Sequence, residues 1–260
     1  MPTENAGKSS TKIALVTGAS RGLGRNTAMS LARRGVDLII TYHSNRTEAA
    51  AVTAAAGELG RKAVALRLDS GEVSSFDNFV REIRTTLQQS WGRDRFDFLV
   101  NNAGTGVAAP FAETKESDFD QLVNVHFKGV YFLTQKLLPV ISDGGRIVNL
   151  SSGLARFCQP GYSAYASMKG AIEVLTRYLA QELGPRGIAV NTVAPGAIET
   201  DFGGGVVRDN PQVNKHIASV TALGRVGVPD DIGPMIASLL SDENRWINAQ
   251  RIEVSGGMFL

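Results

Sequence analysis

The sequence predicts one doubly wound α/β domain, a parallel sheet of about seven strands with helices on both faces. Three observations carry this. Short apolar runs of strand length recur along the chain. Segments of roughly 12 to 25 residues with apolar residues at helical spacing separate most of them. The runs are near-continuously apolar rather than alternating, as strands buried on both faces require. In order they are KIALVT (12–17), VDLIIT (36–41), KAVALRL (62–68), FDFLV (96–100), GRIVNL (145–150), GIAVNTV (187–193) and RIEVS (251–255).

Composition supports a sizeable core. Of 260 residues, 43% are hydrophobic and 20% charged. The net charge of +2 and the lack of a basic cluster with interleaved aromatics argue against a nucleic-acid partner. A single cysteine, Cys158, excludes an internal disulfide framework and a multi-cysteine metal site. The three histidines have no metal-binding spacing, so no metal is expected. No apolar run reaches the ~18 residues of a membrane span. Residues 1–11 read as a disordered tail without an apolar signal core, ahead of a single domain over 12–260, and the default location is cytoplasmic. Residues 196–224, rich in glycine and polar residues, interrupt the rhythm and read as a substrate lid. Residues 113–139 carry apolar positions on two sides of a helix, among them Phe119, Leu122, Phe127, Leu133 and Leu137. One side can face the sheet, and the other a second subunit or an insertion.

TGASRGLG (17–24) follows the first strand directly. Its glycines let the backbone turn tightly and approach a pyrophosphate, and the helix start offers unpaired N–H groups. Dinucleotide folds often place an acid about 20 residues further on, at the end of the second strand, for the ribose 2′-OH. Here that stretch is TYHSN (41–45), without a carboxylate; Asp37 comes too early and Glu48 falls in the next helix. Arg21, inside the loop, is the stronger candidate for a 2′-phosphate. Arg46 is either a second contact or a solvated surface residue.

YASMK (165–169) opens a long helical stretch, and residues four apart on a helix share a face. An ammonium on Lys169 is expected to lower the pKa of the Tyr165 phenol, so that it can exchange a proton with a carbonyl or alcohol oxygen. Ser152, thirteen residues earlier and just past the fifth strand, can polarise that oxygen. NNAG (101–104) and Pro195–Gly196 fall past the fourth and sixth strands, at the same carboxyl edge of the sheet.

Together, TGASRGLG, NNAG, NVHFKG, NLSSG, YASMK and NTVAPGAIET resemble the short-chain dehydrogenase/reductase family, in its order and spacing, from Lys12 to the end. The resemblance implies a Rossmann-like domain and hydride transfer between a nicotinamide cofactor and a carbonyl or alcohol. It gives Tyr165 the acid/base role, Lys169 the tuning of that tyrosine and a hold on the nicotinamide ribose, Ser152 the substrate oxygen, and Asn124 a helix kink and a proton-relay water. Ser151 is the rival to Ser152; the thirteen-residue gap favours Ser152. For the cofactor it implies Gly18, Ser20, Arg21, Gly22, Leu23 and Gly24 of the loop, Tyr42 and Ser44 after the second strand, and Asp69 at adenine. It adds Asn101, Ala103 and Gly104 at the adenine ribose, and Pro195, Gly196, Ile198 and Thr200 at the carboxamide. NADP(H) is expected, with NAD(H) as the alternative. A homotetramer is implied. The branch resembled is that of 3-oxoacyl-carrier-protein and broad carbonyl reductases. Phe157, Cys158, Tyr162 and Phe202 suggest a partly apolar pocket. Alternatives are an NAD-dependent alcohol or sugar dehydrogenase and a non-catalytic dinucleotide sensor, which would not need the four catalytic residues together.

Overall fold

The structure, a computed structural model, describes residues 11–260. The expected tail thus lies, except for Thr11, outside the described residues. Seven parallel strands form one sheet in the order β3-β2-β1-β4-β5-β6-β7. They are β1 (Ile13–Val16), β2 (Asp37–Tyr42), β3 (Ala63–Arg67), β4 (Phe96–Asn101), β5 (Ile141–Leu150), β6 (Ala189–Pro195) and β7 (Arg251–Val254). The main helices are α1 (Gly22–Arg33), α2 (Arg46–Glu58), α3 (Phe76–Trp91), α4 (Glu116–Val123), α5 (Gly129–Leu137) and α6 (Ser163–Leu183). Two short ones, α7 (Val206–Asp209) and α8 (Pro211–Ser219), lie within 196–224, and α9 (Gly233–Leu239) precedes β7.

Side chains alternate across the strands and so divide the core in two. Ala14, Val16, Leu38 and Ile40 face Leu31, Val52 and Ile236 of α1, α2 and α9. Ile13, Leu15, Ile39 and Leu99 face Ile83, Leu137 and Leu183 of α3, α5 and α6. Because neighbouring strands run parallel, every loop after a strand emerges at one edge. The strand order reverses between β1 and β4, which leaves a crevice there.

A π-turn, Asn124–Lys128, joins α4 to α5, with the Gly129 N–H bonded to the Asn124 carbonyl five residues back. A Cβ on Gly129 would run into the Ser70 carbonyl oxygen and also lie 2.7 Å from that of Asn124, so only glycine lets the turn pack this closely against the loop after β3. Such single-turn widenings commonly mark functional sites, and this one displaces Asn124 towards the crevice edge. The α4–α5 unit is apolar on two sides, as its sequence suggested. Leu122, Leu133 and Leu137 are buried, whereas Phe119 and Tyr131 remain 41% and 42% exposed.

A buried polar chain crosses the sheet. Asn101 donates to Thr134 Oγ1 (3.0 Å) and Asn149 Oδ1 (2.8 Å), Asn149 donates to Thr176 (2.9 Å), and Thr192 donates to Thr176 (2.7 Å). Every link is satisfied, which is the condition under which buried polar groups specify a core rather than weaken it. The chain locks β4, β5, β6, α5 and α6 in register beneath the catalytic edge.

Candidate active site

The crevice opens into a cleft of about 1360 Å³ along the carboxyl edge of the sheet. Gly18, Ser20, Arg21, Gly22, Leu23, Gly24, Ser44, Asp69, Ala103, Gly104, Asn124, Ser152, Tyr165, Lys169, Pro195, Gly196, Ile198 and Thr200 all line it. Two expected cofactor residues do not. Asn101 is 4% exposed and spent on the buried chain across the sheet, so the expectation for it gives way to its neighbour Asn102. Tyr42 packs against the core on the α1–α2 side, and His43 takes the position at the cleft.

The glycine loop and NNAG are tied to each other. The Thr17 hydroxyl accepts from Asn102 N–H and Ala103 N–H, both at 3.0 Å, and Asn102 Nδ2 donates to the Thr17 carbonyl at 2.8 Å. Gly18 has φ +62°, and a Cβ there would meet Ala103 Cα at 2.8 Å. The loop therefore needs glycine both for its conformation and for its closeness to NNAG. Helix α1 starts at Gly22 with no side-chain cap and no acid in its first turn, so its first N–H groups remain available to an anion.

Past β2, His43 pairs with Asp69 at 3.3 Å, and no carboxylate of the TYHSN stretch reaches the cleft. Asp37, judged too early from sequence, lies at the opposite edge, where it accepts from Trp91 Nε1 (2.8 Å) and Lys62 N–H (3.0 Å). Arg46 is exposed at the first turn of α2, outside the cleft lining. Arg21 is exposed on the glycine loop and reaches Asp201 at 3.9 Å.

Hydrogen bonding sets Ser151 and Ser152 apart. Ser151 Oγ donates to Glu173 at 2.7 Å, and Arg251 Nε holds the same carboxylate oxygen at 2.7 Å. Ser152 makes no such commitment. Its oxygen accepts from Leu154 N–H at 3.2 Å, and its hydroxyl faces the Tyr165 phenol.

Tyr165 and Lys169 are both buried in the first turns of α6. The Lys169 ammonium donates to the Leu150 carbonyl at 2.7 Å and lies 5.5 Å from the centre of the Tyr165 ring. Burial pushes Lys169 down to about 7. It also pushes the Tyr165 phenol above its ordinary value, against the smaller opposing effect of the Ser152 hydroxyl. The expected lowering of the phenol by Lys169 gives way to desolvation, the largest influence on it, which favours the neutral form.

His126, which the sequence reading passed over, packs edge-on against Tyr165 with ring centroids 5.2 Å apart. Its Nε2 donates to the Thr105 carbonyl at 2.6 Å, and burial holds its pKa down to about 3, so the ring is neutral. A Cβ on Gly104 would meet its Cε1 at 2.7 Å, which explains the glycine of NNAG. Its position two residues after Asn124 in NVHFKG was the available signal. From the other side Phe202, on the 196–224 segment, approaches Tyr165 with ring centroids 5.7 Å apart. Leu154, Phe157, Val213, Ile217 and Met258 make the surrounding wall apolar. Cys158 stands outside this cleft.

The folded protein binds the Lys169 proton less well (about 7) than the unfolded chain does (10.5). Between those values the unfolded state carries the extra proton, so raising the pH favours the fold. Urea unfolding between pH of about 7.5 and 9.5 should show this rise, and Lys169→Met should flatten it. His126 has largely titrated below this range in both states, and Tyr165, raised in the fold from 10.0, opposes the rise only at its upper end, where the unfolded phenol starts to ionise. An equal slope in both proteins would contradict the burial of a titrating lysine.

Comparison with known proteins agrees with this geometry. A family model described as enoyl-(acyl carrier protein) reductase matches residues 18–259. A hydroxynaphthalene reductase-like protein, Arp2 of Metarhizium brunneum, is 35% identical over 257 residues, covering 95% of this chain and 94% of that protein. The structure of the angucycline C-6 ketoreductase LanV with bound NADP superposes with a TM-score of 0.91 at 34% identity, covering 96% of each chain. A short-chain dehydrogenase from Burkholderia cenocepacia in complex with NADP gives a TM-score of 0.86 at 36% identity, over 95% of this chain and 97% of that one. With motifs, fold and relatives agreeing over nearly the whole described length, this chain belongs to the short-chain dehydrogenase/reductase family.

Proposed function

We propose that this protein is an NADPH-dependent reductase of apolar, ring-bearing ketones. The observation that carries this reading is the convergence of the Tyr165 phenol, favoured in its neutral form, and the Ser152 hydroxyl beside it on one cleft with apolar residues around them. The ketoreductase relatives, one of them with bound NADP, support the substrate and cofactor classes.

The residues present fit the dinucleotide. The glycine loop and the uncapped start of α1 would hold the pyrophosphate. Arg21, exposed on the glycine loop beside a TYHSN stretch that carries no acid of its own, would take the 2′-phosphate. Pro195, Gly196, Ile198 and Thr200 would border the nicotinamide. The bound cofactor supplies the hydride.

The protein supplies the rest. Ser152 Oγ–H hydrogen-bonds the ketone oxygen and stabilises the negative charge that develops there. Tyr165 Oη gives its proton to that oxygen, a step for which a neutral phenol is the required state. Lys169 and the Asn124 turn stand behind Tyr165, placed to return a proton from solvent. Phe202 and the 196–224 segment shield the site from bulk water.

Two apolar residues of α6, Val174 and Tyr178, are exposed alongside Phe119 and Tyr131 of α4 and α5. This surface supports assembly through paired helices into a homotetramer. Light scattering at working concentration should return the mass of four chains; a monomer mass would refute the assembly.

The mechanism is tested by Tyr165→Phe. Removing one hydroxyl should lower turnover on the order of 10²–10⁴-fold, the range of general acid catalysis, while NADPH affinity stays unchanged. Retained turnover would remove Tyr165 from the proton-donor role.

A further inference from the structure

A second cavity of about 420 Å³ opens beside the catalytic cleft. Its walls include Pro110, Phe111, Cys158 and Ala166. Leu154, Gln159 and Tyr162 line both cavities, so the two adjoin at the start of α6. The floor is built rather than open. The Ala109 N–H donates to the Gly161 carbonyl at 3.0 Å, and Gly161 adopts φ +87° at that crossing. This bond staples the loop after β4 to the loop after β5. Phe111, a large apolar side chain lining the groove, keeps 86% of its surface exposed among the described residues.

We propose that this groove is a distal subsite for the apolar far end of the substrate, beyond the carbonyl held at Ser152 and Tyr165. The inference rests on the reductase reading and deepens it, since it selects extended multi-ring ketones over single-ring ones. The shared lining sets the direction. A substrate whose carbonyl meets Tyr165 continues past Tyr162, one helical turn earlier, and enters the groove. The chemistry of the walls sets the ligand class. None of the lining residues is charged, and Gln159, Tyr162 and Ser163 bring the only polar side chains apart from the Cys158 thiol. Such a surface has no cation to take a phosphate or carboxylate, so it suits a neutral aromatic extension rather than a charged carrier arm.

Cys158, the sole cysteine of the chain, is exposed in this groove and offers a direct probe. The rate of its alkylation by iodoacetamide can be followed by mass spectrometry with NADPH present. The probes are α-tetralone and its three- and four-ring homologues dihydrophenanthrenone and dihydrochrysenone, which share one reacting carbonyl and differ in reach. The four-ring ketone should slow alkylation about tenfold, and α-tetralone should leave it unchanged. In parallel, Phe111→Ala should raise KM for the four-ring ketone about tenfold while leaving kcat/KM for α-tetralone as it was.

The outcomes separate this inference from the reading on which it rests. Protection of Cys158 by the four-ring ketone without any turnover would uphold the subsite and defeat the reductase. Turnover of the ketones with Cys158 equally reactive throughout would uphold the reductase and overturn the subsite. Protection that follows protein concentration instead of ligand would also overturn it, because a second copy of the chain would then be covering the groove.

Discussion

The parallel pairing of β1 with β4 is the constraint on which the site depends. Ala14, Leu15 and Val16 align with Phe98, Leu99 and Val100, so TGASRGLG and NNAG leave the sheet side by side. Thr17 then binds both Asn102 and Ala103, and the glycine loop and NNAG become one rigid wall. Because β5 and β6 run in the same direction, Ser152 and Pro195 emerge at the same edge. The catalytic groups come from distant parts of the sequence, yet their convergence needs only parallel strands and the reversal of strand order beside β1. The buried chain from Asn101 to Thr192 fixes those strands in register just below the reacting groups.

Desolvation sets the chemistry of this edge. Tyr165, Lys169 and His126 are all buried, and all three shift away from their charged forms. For a reductase this is the useful direction: the phenol retains the proton it must give away. The neutral His126 ring on one side and Phe202 on the other restrict where Tyr165 can point. Tyr165 is positioned mainly by packing, and its partners contribute shape more than charge. Phe202 belongs to a segment with three consecutive left-handed glycines, Gly203, Gly204 and Gly205. That backbone conformation is open to few other residues, and it brings the aromatic ring back over the cleft.

The sheet was legible because buried parallel strands write themselves as continuous apolar runs. All seven strands lie where those runs are, with ends shifted by a few residues, most at β5, which starts at Ile141 rather than 145. That Tyr165, Lys169 and Ser152 share one cleft was legible because helical spacing puts the first two on one face and a strand end locates the third. Side-chain direction was harder to read. Asn101 and Asn102 are adjacent and chemically identical, and only the strand's alternation decides which one is buried. The same alternation exchanges Tyr42 for His43. The balance of burial against charge at Tyr165 was also hidden, since sequence spacing reveals a neighbour but not the depth of its site. His126 went unnoticed because a lone histidine in a helix has no spacing partner, and only its place in NVHFKG marked it.

The central claim is that this cleft binds NADPH and uses it to reduce a ketone. The most direct measurement is the loss of reduced-cofactor absorbance when α-tetralone is added to the protein with either NADPH or NADH. The account predicts rapid oxidation of NADPH and much slower oxidation of NADH. Equal or faster use of NADH would contradict the role given to Arg21 and to the missing carboxylate after β2. Binding of NADPH without oxidation by α-tetralone or its larger homologues would contradict the reductase itself.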